Sequence, residues 1–211
     1  MNLTKQLQEH ANTSKSKLPK EALDTMQSAI NELVSSSILD TASKTGDQFP
    51  DISLPNATGK QINFSEILKQ NRVVLTFYRG GWCPYCNLEL RAFQNVLSEI
   101  EAKGAKLIAI SPETPDNSLS TTEKNNLSFE VLSDTNNKVS KALGLVFKLP
   151  ESLQALYTSF GIDLSQSQDN KDQELPIAAT YIIEQDGTIS YDFLSEDYKL
   201  RANPNEVIAA L

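Results

Sequence analysis

Two thiols carry the chemistry of this chain. The segment Arg79-Gly80-Gly81-Trp82-Cys83-Pro84-Tyr85-Cys86 holds the only two cysteines among 211 residues, spaced Cys-x-x-Cys. A nucleophilic sulfur must be a thiolate, and a helix N-terminus favours one through its dipole and its unpaired N–H groups. Such a pair performs thiol–disulfide exchange when the first sulfur attacks and the second resolves the mixed disulfide. Other thiol or metal chemistries fit less well. A structural zinc site needs four Cys or His ligands, and the chain offers two Cys and one His. That histidine, His10, lies far away in a polar N-terminal segment that reads as surface. A Cys-His or Ser-His-Asp arrangement would have to recruit it.

The flanking residues position the pair. Arg72-Val73-Val74-Leu75-Thr76-Phe77-Tyr78 reads as a buried strand, and the residues from Pro84 to Ala102 as a helix closed by Lys103-Gly104. Residues 106–110 and 129–132 read as further buried strands. Helices are expected over 115–124, 136–143 and 150–160. Residues 163–174 are polar, lack an apolar period, and read as a mobile loop. Residues 178–183 and 188–193 form a hairpin around Gln185-Asp186-Gly187, and Pro204 opens a last helix. Asp134 and Asp186 read as turn residues.

Earlier in the chain, Leu23, Met26, Ala29, Ile30, Leu33 and Val34 recur at helical spacing after a break at Leu18-Pro19. Residues 1–45 therefore read as a helical extension, covering a face of the core or serving a dimer contact, ahead of a domain over 46–211. Strands alternating with helices, then a closing hairpin, predict an α/β fold with a mixed central sheet and helices on both faces.

Composition narrows the partners. The net charge of −8 disfavours nucleic acid and anionic membranes. No apolar run is long enough to cross a membrane, and the first ten residues lack the apolar stretch of a secretory signal. A reducing cytoplasm is the expected setting, where a close cysteine pair is catalytic more often than structural. No glycine-rich phosphate loop follows a strand, so nucleotide binding is not expected.

Strand, Trp82-Cys83-Pro84-Tyr85-Cys86 and helix together resemble the thioredoxin fold and its Trp-Cys-x-x-Cys site. Three further segments resemble peroxiredoxins of the alkyl hydroperoxide reductase and thiol-specific antioxidant family. They are Gly46-Asp47-Gln48-Phe49-Pro50-Asp51, the stretch from Phe129 to Asp134, and that from Ala179 to Gly187. The resemblance runs from about Gly46 to Leu211 and implies a thioredoxin-like three-layer sandwich without a cofactor or metal. In the family pattern Pro-x-x-x-Thr-x-x-Cys, the peroxide-attacking cysteine falls on Cys86. The Pro falls on Arg79, the Thr on Cys83, the following Glu on Glu89, and the supporting Arg on Ala178. The cis proline usual in thioredoxin-like oxidoreductases is also missing from Ala178-Ala179, with Pro176 two residues early.

The resemblance implies a thiol peroxidase. Cys86 would attack a peroxide, Cys83 would resolve the sulfenic acid as a disulfide, and thioredoxin or a similar dithiol would reduce it. Arg79, Trp82 and Glu89 would support the site, with Glu89 also readable as a first-turn acid that complements the helix dipole. Two other readings remain: disulfide exchange with Cys83 attacking, and a redox-inactive or sensory binding protein that kept the fold.

Overall fold

A computed structural model describes residues 2–211. The chain begins with helices α1 (Leu3–Lys17), α2 (Lys20–Ser35) and α3 (Ile38–Thr41). Asn2 caps α1 by accepting from the Thr4 N–H at 2.9 Å, and Leu18-Pro19 separates α1 from α2. A small hairpin of β1 (Ser53–Pro55) and β2 (Gln61–Asn63) leads into α4 (Phe64–Leu68). Next come β3 (Arg72–Phe77), α5 (Pro84–Asn95), α6 (Leu97–Ala102), β4 (Ala105–Ser111), α7 (Pro115–Asn125) and β5 (Glu130–Ser133). A 3-10 turn and α8 (Lys138–Ala142), β6 (Val146–Lys148), α9 (Glu151–Ser159), α10 (Leu164–Gln168) and β7 (Glu174–Pro176) follow. The chain closes with β8 (Ala178–Ile183), β9 (Ile189–Ser195) and α11 (Pro204–Ala210).

The central sheet has the order β5-β4-β3-β8-β9. Strands β3, β4 and β5 run parallel, whereas β8 and β9 are antiparallel to their neighbours, as a mixed sheet requires. Both faces are covered, so the inner strands are apolar almost throughout. On β3, Val74 joins Leu90, Phe93 and Ile100 beneath α5 and α6, while Val73, Leu75 and Phe77 join Phe64 and Leu143 on the other face. The cysteine turn follows the C-terminal end of β3, between Phe77 and the start of α5 at Pro84.

Two expectations about the elements need correction. The helix expected over 84–102 is interrupted at Val96, which takes φ −114° and ψ 10° between α5 and α6. Residues 163–174, expected to be a mobile loop, are ordered by contacts that periodicity does not reveal. Asp163 caps α10 by accepting from the Gln166 N–H at 3.0 Å, and Leu164 and Gln168 are buried. The Gln168 amide donates to the Glu174 carbonyl at 3.1 Å, and β7 pairs with β6.

The N-terminal helices lie on the rest of the chain. Leu3 and Leu7 of α1 enter the cluster beneath α5, and α2 turns Ala22, Ile30 and Leu33 inward. His10, expected at the surface, is half-buried with its ring edge-on to Tyr85 at 4.8 Å. No helix among the described residues is long and apolar enough to cross a membrane.

Candidate redox site

The cysteine turn is held from several sides. Gly80 takes φ 151°, and a Cβ there would strike the Trp82 indole and the Glu113 carboxylate; one on Gly81 would strike the Thr121 hydroxyl. The two glycines therefore let α7 and the loop after β4 close over the turn. Glu113 accepts from the Gly81 N–H at 2.8 Å, and the Asn87 amide donates to the Gly81 carbonyl at 2.9 Å. Asn125 on α7 donates to Asn87 at 2.9 Å and accepts from Arg91 at 2.7 Å, fastening α7 to α5.

Cys83 is the N-cap of α5, Pro84 its first residue, and Cys86 lies in its first turn. Both cysteines are free thiols with 0% exposure. Each sulfur meets its own guanidinium. Arg79 Nη2 donates to Cys83 Sγ at 3.3 Å, and Arg201 Nη2 donates to Cys86 Sγ at 3.2 Å. Arg79 also donates to the Tyr157 hydroxyl at 3.0 Å and lies against the rings of Tyr198 at 4.2 Å and Trp82 at 5.1 Å. Arg201 is paired with buried Glu89, Nε to Oε2 at 3.3 Å.

These surroundings split the two thiols. Burial alone pushes the Cys83 thiol up, but hydrogen bonding from Cys86 and the charges of Arg79 and Arg201 hold it well below the usual range. Cys86 goes the other way. Burial, its hydrogen bond to Cys83 and the charge there push it well up, against the pull of the two arginines. The two thiols titrate as one coupled pair, with Cys83 the lower side and Cys86 the higher. Burial raises both Glu89 and Glu113 to about 7, against the Arg201 charge for the first and the Gly81 N–H for the second.

Of the residues singled out in the sequence, Cys83, Cys86, Arg79, Trp82 and Glu89 all meet here. Glu89 is buried and paired with Arg201, so its reading as a first-turn acid that only complements the dipole does not hold. Arg201, Tyr157, Tyr198 and Glu113 escaped the sequence reading. Ala178 carries no guanidinium, yet it pairs with Ser195 at the end of β9, and the chain leaving Ser195 delivers Arg201 to Cys86. The one sequence signal for this was the expected hairpin, whose second strand ends beside Ala178.

Four donors or acceptors around the sulfurs, Arg79 Nε, Trp82 Nε1, Arg201 Nη1 and the Tyr78 hydroxyl, are buried without a hydrogen-bond partner. Orphaned donors beside a nucleophile suit an oxygen-bearing reactant.

The model of the AhpC/TSA family matches residues 45–192. The chain belongs to the AhpC/TSA family. Among curated AhpC/TSA relatives, peroxiredoxin Bcp of Escherichia coli strain K12 is 30% identical over 102 residues, covering 48% of this chain and 65% of the relative. A putative peroxiredoxin bcp of Buchnera aphidicola is 33% identical over 105 residues, covering 50% and 66%. The chain thus matches just under two thirds of the length of these relatives. Among solved structures, peroxidoxin BcpB of Mycobacterium tuberculosis superposes with a TM-score of 0.62 at 22% identity, covering 79% of this chain and 95% of that one. Peroxiredoxin Q of Xanthomonas campestris gives 0.59 at 18% identity, covering 80% and 94%. These likenesses show that the AhpC/TSA chain has the thioredoxin-like peroxiredoxin fold.

Proposed function

We propose that this protein is a thiol-dependent peroxidase in which Cys83 is the attacking thiolate and Cys86 the resolving thiol. The observation that carries the assignment is the unequal pairing of the two guanidiniums. Arg201 is shared between Cys86 and Glu89, whose carboxyl is about half ionised near pH 7, whereas Arg79 forms no ion pair with a carboxylate among the described residues, so its charge falls to Cys83. The roles of the two cysteines are therefore the reverse of those the family pattern implied. Family membership supports the peroxidase reading, as do the unpartnered donors of Arg79, Arg201 and Trp82, which suit peroxide oxygens. Full burial of both sulfurs favours a small reactant over a protein disulfide. We assign residues 46–211 to the peroxidase domain and 1–45 to its extension, and place the protein in a reducing, cytoplasmic setting.

In the first step the Cys83 thiolate attacks one peroxide oxygen. The O–O bond breaks, the sulfur becomes a sulfenic acid, and the departing alkoxide or hydroxide takes a proton and leaves as alcohol or water. Arg79 and Arg201 face the charge that moves from sulfur to oxygen. In the second step the Cys86 sulfur displaces the sulfenic hydroxyl as water and closes a Cys83–Cys86 disulfide. An external dithiol such as thioredoxin returns two electrons and two protons.

Single serine variants test this assignment. In Cys86→Ser, sulfenic acid should be trapped at Cys83 while thioredoxin-coupled turnover of hydrogen peroxide is lost. Cys83→Ser should lose both, with peroxide consumption down by about a thousandfold or more, as when a nucleophile is removed. Sulfenic acid confined to Cys86 would overturn the assignment. Insulin reduction that depends on Cys83, without peroxide turnover, would favour disulfide exchange, the reading that the low Cys83 thiol also fits.

A further inference from the structure

A third sulfur is connected to the two thiols. The sequence has two methionines, Met1 and Met26. Met26 sits half-buried on α2, and its Sδ accepts from the Tyr198 hydroxyl at 3.4 Å. The same Tyr198 ring lies against the Arg79 guanidinium at 4.2 Å, and Arg79 donates to Cys83 Sγ at 3.3 Å. One chain of contacts thus runs from the thioether through the phenol and the guanidinium to the thiol. Met26 is also open to a reactant. It lines a cavity of about 920 Å³ between the N-terminal helices and the thiol turn, together with Arg79, Trp82, Tyr198 and Arg201. Neither Cys83 nor Cys86 lines that cavity, so among the described residues Met26 supplies its only sulfur. Arg79, Trp82 and Arg201 each carry a buried donor without a partner, and such donors suit peroxide oxygens.

We propose that Met26 is a second, reversible oxidation site, which hydroperoxides in the cavity convert to the sulfoxide, and that its oxidation acts on Cys83 through Tyr198 and Arg79. The chemistry needs no further reactant. The thioether sulfur attacks one peroxide oxygen, and the O–O bond breaks. Sulfur is oxidised by two electrons and the peroxide is reduced by two. The proton carried by the transferred oxygen passes to the departing hydroxide or alkoxide, so the products are methionine sulfoxide and water or an alcohol. The Tyr198 O–H beside the sulfur faces that departing charge, and burial keeps the phenol protonated. A thioether sulfur is a weak acceptor, whereas a sulfoxide is polar and accepts through oxygen. The Tyr198 O–H then turns from Sδ to that oxygen, and its ring leaves the face of Arg79. A guanidinium that loses a ring has more charge to offer Cys83. A sulfoxide reductase restores the thioether. This inference goes beyond the peroxidase reading, because oxidation of Met26 needs a peroxide but no turnover at the thiols.

Two measurements on the full chain test the site and its link to the thiol. The first exposes the native protein to hydrogen peroxide and follows the oxygen adduct on the peptide carrying Met26 by mass spectrometry, with N-acetylmethionine in the same solution as reference. Met26 should oxidise faster than the reference by about tenfold or more, within what a positioned acid contributes, and Tyr198→Phe should remove that advantage. Oxidation no faster than the reference, or unchanged by Tyr198→Phe, overturns the site. The second measures alkylation of Cys83 after peroxide treatment and then dithiothreitol, which reduces any disulfide and leaves the sulfoxide. The rate should rise about two- to fivefold, the scale of one cation–π contact, and methionine sulfoxide reductase should return it to the untreated value. Met26→Leu, a swap that keeps side-chain volume, should start at the native rate and show no rise. An unchanged rate in the native protein, or a rise that Met26→Leu retains, overturns the link to Cys83. A protein that passes both tests and still fails to turn over peroxide would sink the peroxidase reading alone.

Discussion

Cys83 and Cys86 lie within one helical turn of each other, equally buried, and each faces a guanidinium at nearly the same distance. The two guanidiniums are neutralised differently. Arg79 is surrounded by rings and a phenol: Trp82, Tyr198 and Tyr157. Arg201 is matched by a carboxylate, Glu89. Aromatic faces soften a positive charge without cancelling it, so the Arg79 side still calls for an anion and the Arg201 side much less. The proposed polarity between two chemically identical thiols thus rests on what stands behind their partners.

The largest expected effect lies on the Arg201 side and concerns pH. Glu89 binds its proton up to about pH 7 in the folded protein, against 4.5 as its ordinary value. Between those values the folded state holds more protons than the unfolded one, so the contribution is fully present below pH 4.5 and lost as pH rises through 7. Two and a half units correspond to roughly 3 kcal/mol. Glu89→Gln should remove that part of the decline in urea-unfolding stability between pH 4.5 and 8. Above pH 7, where the native Glu89 is ionised, it also leaves Arg201 with only Cys86 to answer, so thiolate reactivity at Cys86 should rise there in a Cys83→Ser background. Superimposable pH profiles for Glu89→Gln and the native protein would mean that Glu89 titrates alike in the folded and unfolded states.

On the Arg79 side the effect is kinetic. A hydrogen bond to a buried charged group is worth about 1.5–3 kcal/mol, so Arg79→Gln should slow alkylation of Cys83 at neutral pH by about tenfold to a hundredfold. Arg201→Gln should slow it less. Equal slowing by the two substitutions would erase the distinction between the guanidiniums. The smallest effect belongs to the aromatic face. Tyr198→Leu removes one ring from Arg79, a contact of about 1 kcal/mol, and should change Cys83 alkylation by less than tenfold.

The core strands, the antiparallel hairpin that makes the sheet mixed, and the cysteine turn were legible because each leaves a local signal. Val73 to Phe77 reads as buried, Pro84 marks a helix start, and Gln185-Asp186-Gly187 marks a hairpin. Residues 163–174 were not legible, because Leu164 and Gln168 gain their order from partners elsewhere in the chain. At the site, Arg79 was visible within the motif but Arg201 was not. A lone arginine in a segment without periodicity carries no signal of burial. The expected guanidinium was sought at Ala178, on one strand, and it arrives from the chain that leaves the neighbouring strand. Residues 1–45 read as a helical extension over a face of the core, and Leu3 and Leu7 do enter the cluster beneath α5.

The surroundings of the sulfurs come from distant parts of the sequence, with α1 at residues 3–17 and the Tyr198–Arg201 stretch at the other end. A ribosome makes the cysteine turn more than a hundred residues before Arg201. Until that arginine emerges, a nascent chain holds both thiols without the second guanidinium. Translation at about 5–20 residues per second leaves them in that state for several seconds. Protection of the sulfurs is therefore among the last properties that this protein acquires during its synthesis.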